Sequence, residues 1–171
     1  MSRNAMNMRI KYHLLAAVFL FSFQAIFAQV EVAPYKQSPQ VPKFEIQQTN
    51  NTLFSSDKLK KNTPLIIMFF SPGCDHCIHQ FEDMSKRKKD LSGFQIVMAT
   101  YQPLEELAAF NKKYDLGKYP NIVTGRDVNY FFPMFFHIRN FPYLAFYDKN
   151  GKLIDTFEGN MTIDNMLQKF R

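Results

Sequence analysis

Cys74 and Cys77 are the two residues of this sequence best suited to carry chemistry. They are its only cysteines, and Asp75 and His76 lie between them. Two thiols at this spacing can form a disulfide and exchange it, whereas a loop closed over so few residues would constrain little chain entropy. The pair also follows the apolar run 65–70 and lies at the point where a helical pattern begins. The spacing and position therefore predict a redox-active pair rather than a structural crosslink.

The start of a helix predicts different roles for the two thiols. Cys74 lies just before the helix, where unpaired backbone N–H groups and the positive end of the helix dipole favour a thiolate. We expect Cys74 to be the attacking nucleophile and Cys77, one turn further on and more buried, to be the resolving thiol. A charged imidazole at His76 would favour the reduced thiolate form, and the carboxylate of Asp75 would oppose it. These two tuning residues predict an intermediate reduction potential.

The elements around the motif predict an α/β fold. Continuous apolar runs at 65–70 and 94–99 are typical of strands covered on both faces of a sheet. Helical spacing at 77–90 and 103–114 follows each of these runs, and a short strand is expected at 119–124. Strands that alternate with helices predict parallel pairing through right-handed crossovers.

Two hairpins are expected at the ends of the domain. Residues 44–46 and 52–54 flank a cluster of turn residues, and residues 143–147 and 152–158 flank a loop that ends in Asn-Gly. Between them, the aromatic stretch 127–138 has two readings that the sequence leaves open. It is either part of the core or an exposed surface that binds an unfolded or apolar partner.

The first 28 residues have the pattern of a secretory signal peptide. Three basic residues precede the apolar segment 14–23, and Ala25 to Ala28 form a plausible cleavage site. An uncleaved anchor is the alternative, although the apolar stretch is shorter than the ~20 residues of a spanning helix. We expect export to the periplasm or another extracytoplasmic compartment, with an extended linker at 29–43 and a folded domain at 44–171.

The charge of the chain argues against a nucleic-acid partner. The formal net charge of +6 includes three basic residues of the predicted signal peptide. Residues 29–171 carry 18 basic against 15 acidic side chains, a net charge of +3. This excess is small and scattered, whereas nucleic-acid binding usually needs a clustered basic surface.

The order of these features resembles the thioredoxin fold, and most of all the TlpA-like periplasmic thiol-disulfide oxidoreductases. The resemblance is carried by the strand 65–70 leading into Ser71-Pro72-Gly73-Cys74, and by Phe141-Pro142 before the strand 143–147. It implies a thioredoxin-like domain with a central mixed sheet, helices on both faces, an N-terminal hairpin and an inserted helix and strand.

The same resemblance implies the site and the partners. Pro142 is expected to be a cis-proline facing the cysteines, which would hold the Phe141 backbone for pairing with a substrate strand. The substrates would be thiols or disulfides of exported proteins. A membrane protein would be its electron donor or acceptor, and the resemblance favours the role of a reductant fed by a membrane donor. No cofactor is expected.

The sequence departs from the family at two positions of the site. The tryptophan often found before the first cysteine is Gly73, and the buried acid of classical thioredoxins falls at Met68. The group that deprotonates Cys77 is therefore open, with His79 and Glu82 as candidates.

A copper-binding metallochaperone is the alternative function. Soft thiolates together with an imidazole suit Cu(I), and Cys74, Cys77 and His137 could supply this ligand set. A closed zinc site would need a fourth ligand from a second pair, which the motif lacks.

Overall fold

The computed structural model describes residues 32–171, which form a seven-stranded sheet with helices on both faces. The predicted signal peptide, residues 1–28, lies outside the described residues. The strands are β1 (Glu45–Gln47), β2 (Leu53–Ser55), β3 (Leu65–Phe69), β4 (Gln95–Thr100), β5 (Ile122–Arg126), β6 (Tyr143–Tyr147) and β7 (Leu153–Glu158). The helices are α1 (Pro34–Gln37), α2 (Asp75–Lys86), α3 (Leu104–Lys113), α4 (Phe131–Phe136) and α5 (Ile163–Gln168), with short 3-10 turns at Ser56–Lys58 and Leu116–Lys118.

The sheet is mixed and has the order β2-β1-β5-β4-β3-β6-β7. Its centre is parallel, because β3 pairs with β4 and β4 pairs with β5 through the helical crossovers α2 and α3. The hairpin β6–β7 adds to β3 in the antiparallel sense, and the hairpin β1–β2 joins β5 in the same sense. The predicted fold class is confirmed, including the N-terminal hairpin and the inserted helix and strand, α3 and β5.

Alternation along β3 separates two apolar layers. Ile66 and Met68 face the layer that α2, α3 and α5 cover, while Ile67 and Phe69 face the layer that α4 covers. All five residues of β3 are buried, as expected for a strand covered on both faces. The strand that leads into the cysteines is therefore held rigidly in the middle of the molecule.

The aromatic stretch contributes to the core and to the surface. The carboxylate of Asp127 accepts hydrogen bonds from the backbone N–H groups of Phe131 (3.0 Å) and Phe132 (2.8 Å), and α4 begins there, two residues before Pro133. Phe132 is fully buried, whereas Met134 is 71% exposed. One side of this helix therefore belongs to the core, and the other side is exposed.

The prediction of an extended linker at 29–43 is wrong for the described part of this segment, which packs against the domain. Its described part contains the helical turn α1, and Ala33 is buried. Its later residues pair with the β6–β7 hairpin, because the Val41 N–H donates to Gly151 O (2.9 Å) and the Leu153 N–H donates to Pro39 O (2.7 Å). Prolines among polar residues suggested an extended linker, but the side chains of Tyr35 and Val41 pack against the buried cluster of the layer that α4 covers.

None of the helices in residues 32–171 combines the length and the apolar character that crossing a membrane requires.

Candidate active site

The cysteine motif lies where the central strand β3 gives way to α2. Cys74 is the residue directly before the helix and is half-buried, and Cys77 lies in the first turn and is fully buried. Both thiols are free in the structure. Cys74 is thus the accessible thiol of the pair.

Cys77 is held in its protonated form. The pKa of Cys77 is raised to about 12, and burial is the largest cause. The Ser71 N–H, which donates to Cys77 Sγ at 3.5 Å, acts to lower this pKa, and a hydrogen bond with Cys74 acts to raise it. Because the buried thiol keeps its proton, it can donate a hydrogen bond to the sulfur of Cys74. The accessible sulfur of Cys74 therefore has the buried thiol of Cys77 as a hydrogen-bond partner.

The surroundings of Cys77 are apolar. Met68, at the position of the family's buried acid, is fully buried in the same cluster as Cys77. His79, a predicted proton acceptor, is 74% exposed, and Glu82 instead accepts a hydrogen bond from the Tyr114 hydroxyl at 3.4 Å. Among the described residues, only Ser71 and Cys74 shift the pKa of Cys77 by a direct interaction, and the remaining cause is burial.

Phe141 and Pro142 lie at the same end of the sheet as the motif. Tyr143 at the start of β6 pairs with Phe69 at the end of β3, which places the residues before β6 next to the residues after β3. The Phe141–Pro142 peptide bond is cis. The centroid of the Phe141 ring lies 5.7 Å from that of the Phe69 ring. Phe141 and Cys74 both pack against the same buried cluster.

The loop 159–161 connects the two halves of this site. Its Gly159 N–H donates to Pro142 O (2.7 Å), and its Asn160 side chain donates to the His76 carbonyl (2.7 Å) in the first turn of α2. The buried Gln80 donates to Met161 O (3.0 Å) and accepts from the Met161 N–H (2.7 Å). The loop therefore fixes the proline segment and the cysteine helix relative to one another.

Sequence reasoning missed both Asn160 and Gln80. A signal for Gln80 was present, because this polar residue interrupts the apolar face of α2 formed by Cys77, Phe81 and Met84. A buried amide on such a face needs partners, and here it finds them in the backbone of Met161. Asp75 and His76 are exposed, so their predicted tuning role depends on charge at the surface beside the thiols.

Replacing Asn160 by alanine is expected to loosen the site. The variant loses the donor to the His76 carbonyl, which should lower the free energy of unfolding by about 1 kcal/mol. We expect kcat/KM for a peptide disulfide to fall by up to about tenfold, because catalysis is sensitive to small displacements. Denaturant titration and a steady-state assay measure the two effects.

The matched control is Asn165→Ala, an exposed asparagine of α5. It should change neither quantity appreciably. A positioning role for Asn160 also predicts a shifted reduction potential, which a merely destabilised protein would not show. Equal activity and potential in both variants would contradict the role.

The alternative copper site is not assembled. His137 is an exposed residue at the C-terminal end of α4, with a positive φ of 53°. Within residues 32–171, no group of three histidine, cysteine or acidic side chains is placed to hold a metal ion, so Cys74, Cys77 and His137 do not form one.

Comparison with known proteins agrees with this geometry. A model of the thioredoxin-like domain family matches residues 56–171. No curated protein sequence matches the chain. Among solved structures, the exposed lipoprotein thioredoxin of Streptococcus pneumoniae is 23% identical with a TM-score of 0.57, over 74% of this chain and 96% of that one.

Two further structures share the fold at lower identity. A secreted disulfide oxidoreductase of Mycobacterium tuberculosis is 17% identical with a TM-score of 0.61, over 74% of this chain and 92% of that one. A thiol-disulfide oxidoreductase of Bacteroides fragilis is 15% identical with a TM-score of 0.62, over 76% of this chain and 98% of that one. With the family model covering more than half of its length, this chain belongs to the thioredoxin-like family and carries a dithiol site suited to thiol-disulfide exchange.

Proposed function

We propose that this thiol-disulfide oxidoreductase works outside the cytoplasm and reduces disulfides in exported proteins. One observation carries the proposal: an accessible Cys74 at the start of α2, next to a buried Cys77 that keeps its proton. A pair arranged in this way separates the attacking thiol from the resolving one.

The exchange would proceed in two balanced steps. The Cys74 thiolate attacks one sulfur of the substrate disulfide, so a Cys74–substrate bond forms and the other substrate sulfur leaves as a thiolate that takes up a proton. Cys77 then gives up its proton and attacks the Cys74 sulfur, which releases the second substrate thiol. Two electrons pass to the substrate, and the protein retains a Cys74–Cys77 disulfide.

A further donor must reduce this disulfide before the next turnover. In the proposed scheme a dithiol of a membrane protein supplies the two electrons by the same exchange in the opposite direction. The reductant role and the membrane donor rest on the resemblance to the TlpA-like proteins.

Phe141 and Pro142 are proposed to hold the substrate chain. They lie at the end of the sheet that carries Cys74, and the carbonyl of Pro142 is already engaged by the Gly159 N–H. The backbone of Phe141 is therefore proposed to pair with an extended substrate segment, in the manner of strand addition to a sheet. The exposed Asp75 and His76 would tune the potential of the pair through their charges.

Export is supported by the pattern of residues 1–28 and by two of the similar proteins. The Mycobacterium tuberculosis protein is described as secreted and the Streptococcus pneumoniae protein as an exposed lipoprotein. In this chain the proposed product of signal cleavage begins at Gln29 and is released into the periplasm or its equivalent.

The reduction potential of the Cys74–Cys77 pair tests the direction of exchange. Equilibration of the purified protein with redox buffers, followed by alkylation and mass spectrometry, is expected to give a value below about −180 mV, on the side of thioredoxin. A value near about −120 mV is that of a strong oxidant and would contradict the reductant role.

Mass measurement of the protein recovered from a bacterial periplasm tests export, and a chain that retains Met1 in the cytoplasm would contradict it.

A further inference from the structure

A groove lies beside Cys74, between the loop that precedes it and helix α3. It has a volume of about 260 Å³. Most of its lining is apolar and comes from three elements, the loop before Cys74, α2 and the α3 region: Pro72, Gly73, Ile78, Ala109, Phe110 and Tyr114. Two exposed charged residues, Glu106 and Lys113, complete it.

The floor of the groove is formed by a closely packed aromatic side chain, Phe110. Phe110 is 4% exposed, and its ring packs against those of Phe70 (5.0 Å), Phe81 (5.4 Å) and Tyr114 (4.8 Å). Phe70 directly follows β3, and Phe81 lies on the buried face of α2. The same aromatic contacts that hold the cysteine helix in place thus hold the groove open.

Gly73 places no side chain between Cys74 and the groove. It is exposed and directly precedes Cys74. A Cβ atom built at this position meets no atom within 4 Å. The space that a side chain before Cys74 would occupy is therefore free, and it borders the apolar lining.

The size and chemistry of the groove select its occupant. Its volume is below the ~300–1,000 Å³ of typical small-molecule and cofactor sites. An apolar lining that contains two aromatic residues suits a single apolar side chain. Because any substrate disulfide must approach Cys74, the groove is continuous with the surface that a substrate polypeptide covers.

We propose that this groove binds an apolar side chain next to the reacting cysteine of the substrate protein. The proposal rests on the proposed function, in which the substrates are proteins, and it adds a sequence preference to it. Burial of one such side chain beside the reacting sulfur is expected to raise kcat/KM by about tenfold or more.

Two peptides test the preference. Each carries one cysteine in a mixed disulfide with thionitrobenzoate, and they differ only in having leucine or serine at the positions flanking the cysteine. Attack by Cys74 on the peptide sulfur releases the coloured thionitrobenzoate, the better leaving group. The reduced wild-type protein should react with the leucine peptide about tenfold faster, measured as the second-order rate constant of thionitrobenzoate release in a single turnover.

A matched pair of variants places the preference in the groove. Ala109→Trp fills the groove and should remove the advantage of the leucine peptide, while the reaction with bis(2-hydroxyethyl) disulfide, a small hydrophilic disulfide that has no apolar group for the groove, stays unchanged. Ala108→Trp adds the same side chain at the neighbouring exposed position of α3, outside the groove lining, and should preserve the advantage. Equal rates with both wild-type peptides, or the same loss in both variants, would overturn the groove proposal alone. Absence of reaction with every disulfide, the small one included, would overturn the proposed function and the groove proposal with it.

Discussion

A Cys77→Ser protein is expected to stop at the mixed disulfide, with its substrate held covalently on Cys74. The half-buried Cys74 can still attack, but the thiol that would release the product is gone. Turnover with a peptide disulfide should fall on the order of 10³-fold or more. Mass spectrometry under non-reducing conditions should show the protein enlarged by one peptide, and reductant should reverse this. A Cys74→Ser protein should lose a similar part of its activity without any covalent product.

A third variant separates this mechanism from copper binding. His137→Asn keeps a residue that tolerates the positive φ of this position, and His137 is exposed at the end of α4. Its exchange activity should equal that of the wild type. A Cys74→Ser protein that still exchanges disulfides at the wild-type rate would refute the nucleophile assignment. Stoichiometric Cu(I) retention that disappears in His137→Asn would favour the metallochaperone.

The architecture was predictable because its strongest signals are local. The five residues of β3 are apolar and buried, and a continuous apolar run of this length is characteristic of a strand covered on both faces. The turn residues Asn150 and Gly151 marked the last hairpin, and Gly151 does adopt the positive φ, 77°, that such a turn requires. The position of the cysteines after β3 followed from the same patterns.

The connections that hold the site together were not predictable in this way. Asn160 contacts His76 across 84 positions of the chain, and Gln80 contacts Met161 across 81. Such contacts depend on how whole elements pack, and nothing in the residues around Asn160 distinguishes it from a surface asparagine. The start of α4 also depends on a residue outside the helix, since the carboxylate of Asp127 accepts hydrogen bonds from the backbone N–H groups of Phe131 and Phe132.

The groove beside Cys74 shows how a departure from the family pattern becomes interpretable in three dimensions. From the sequence, Gly73 is only the absence of a tryptophan. In the structure it opens a space bordered by Ile78 and by Ala109 of the inserted helix α3. The missing side chain and the inserted helix thus contribute to one surface, although they lie more than thirty positions apart in the chain.

Resolution of the mixed disulfide is expected to accelerate about tenfold for each pH unit from pH 6 to pH 10. The reactive species is the thiolate, and burial raises the pKa of Cys77 to about 12, so its thiolate fraction keeps increasing throughout this range. Burial is the largest cause of the shift and persists when Cys74 is bound to substrate. An ordinary thiol, with a pKa near ~8.5, would reach a plateau above pH 9.

A pH-jump experiment measures this step on its own. The mixed disulfide with a fluorescent peptide is accumulated at low pH, where resolution is slow, and is then transferred to buffers of increasing pH while release of the peptide is followed. The Cys77→Ser protein reports the pH dependence of the first attack separately. A plateau between pH 7 and pH 9 would contradict the prediction, because it would require a proton acceptor for Cys77 in the substrate complex. The apolar surroundings of Cys77, with Met68 where classical thioredoxins bury an acid, lead us to expect no such plateau.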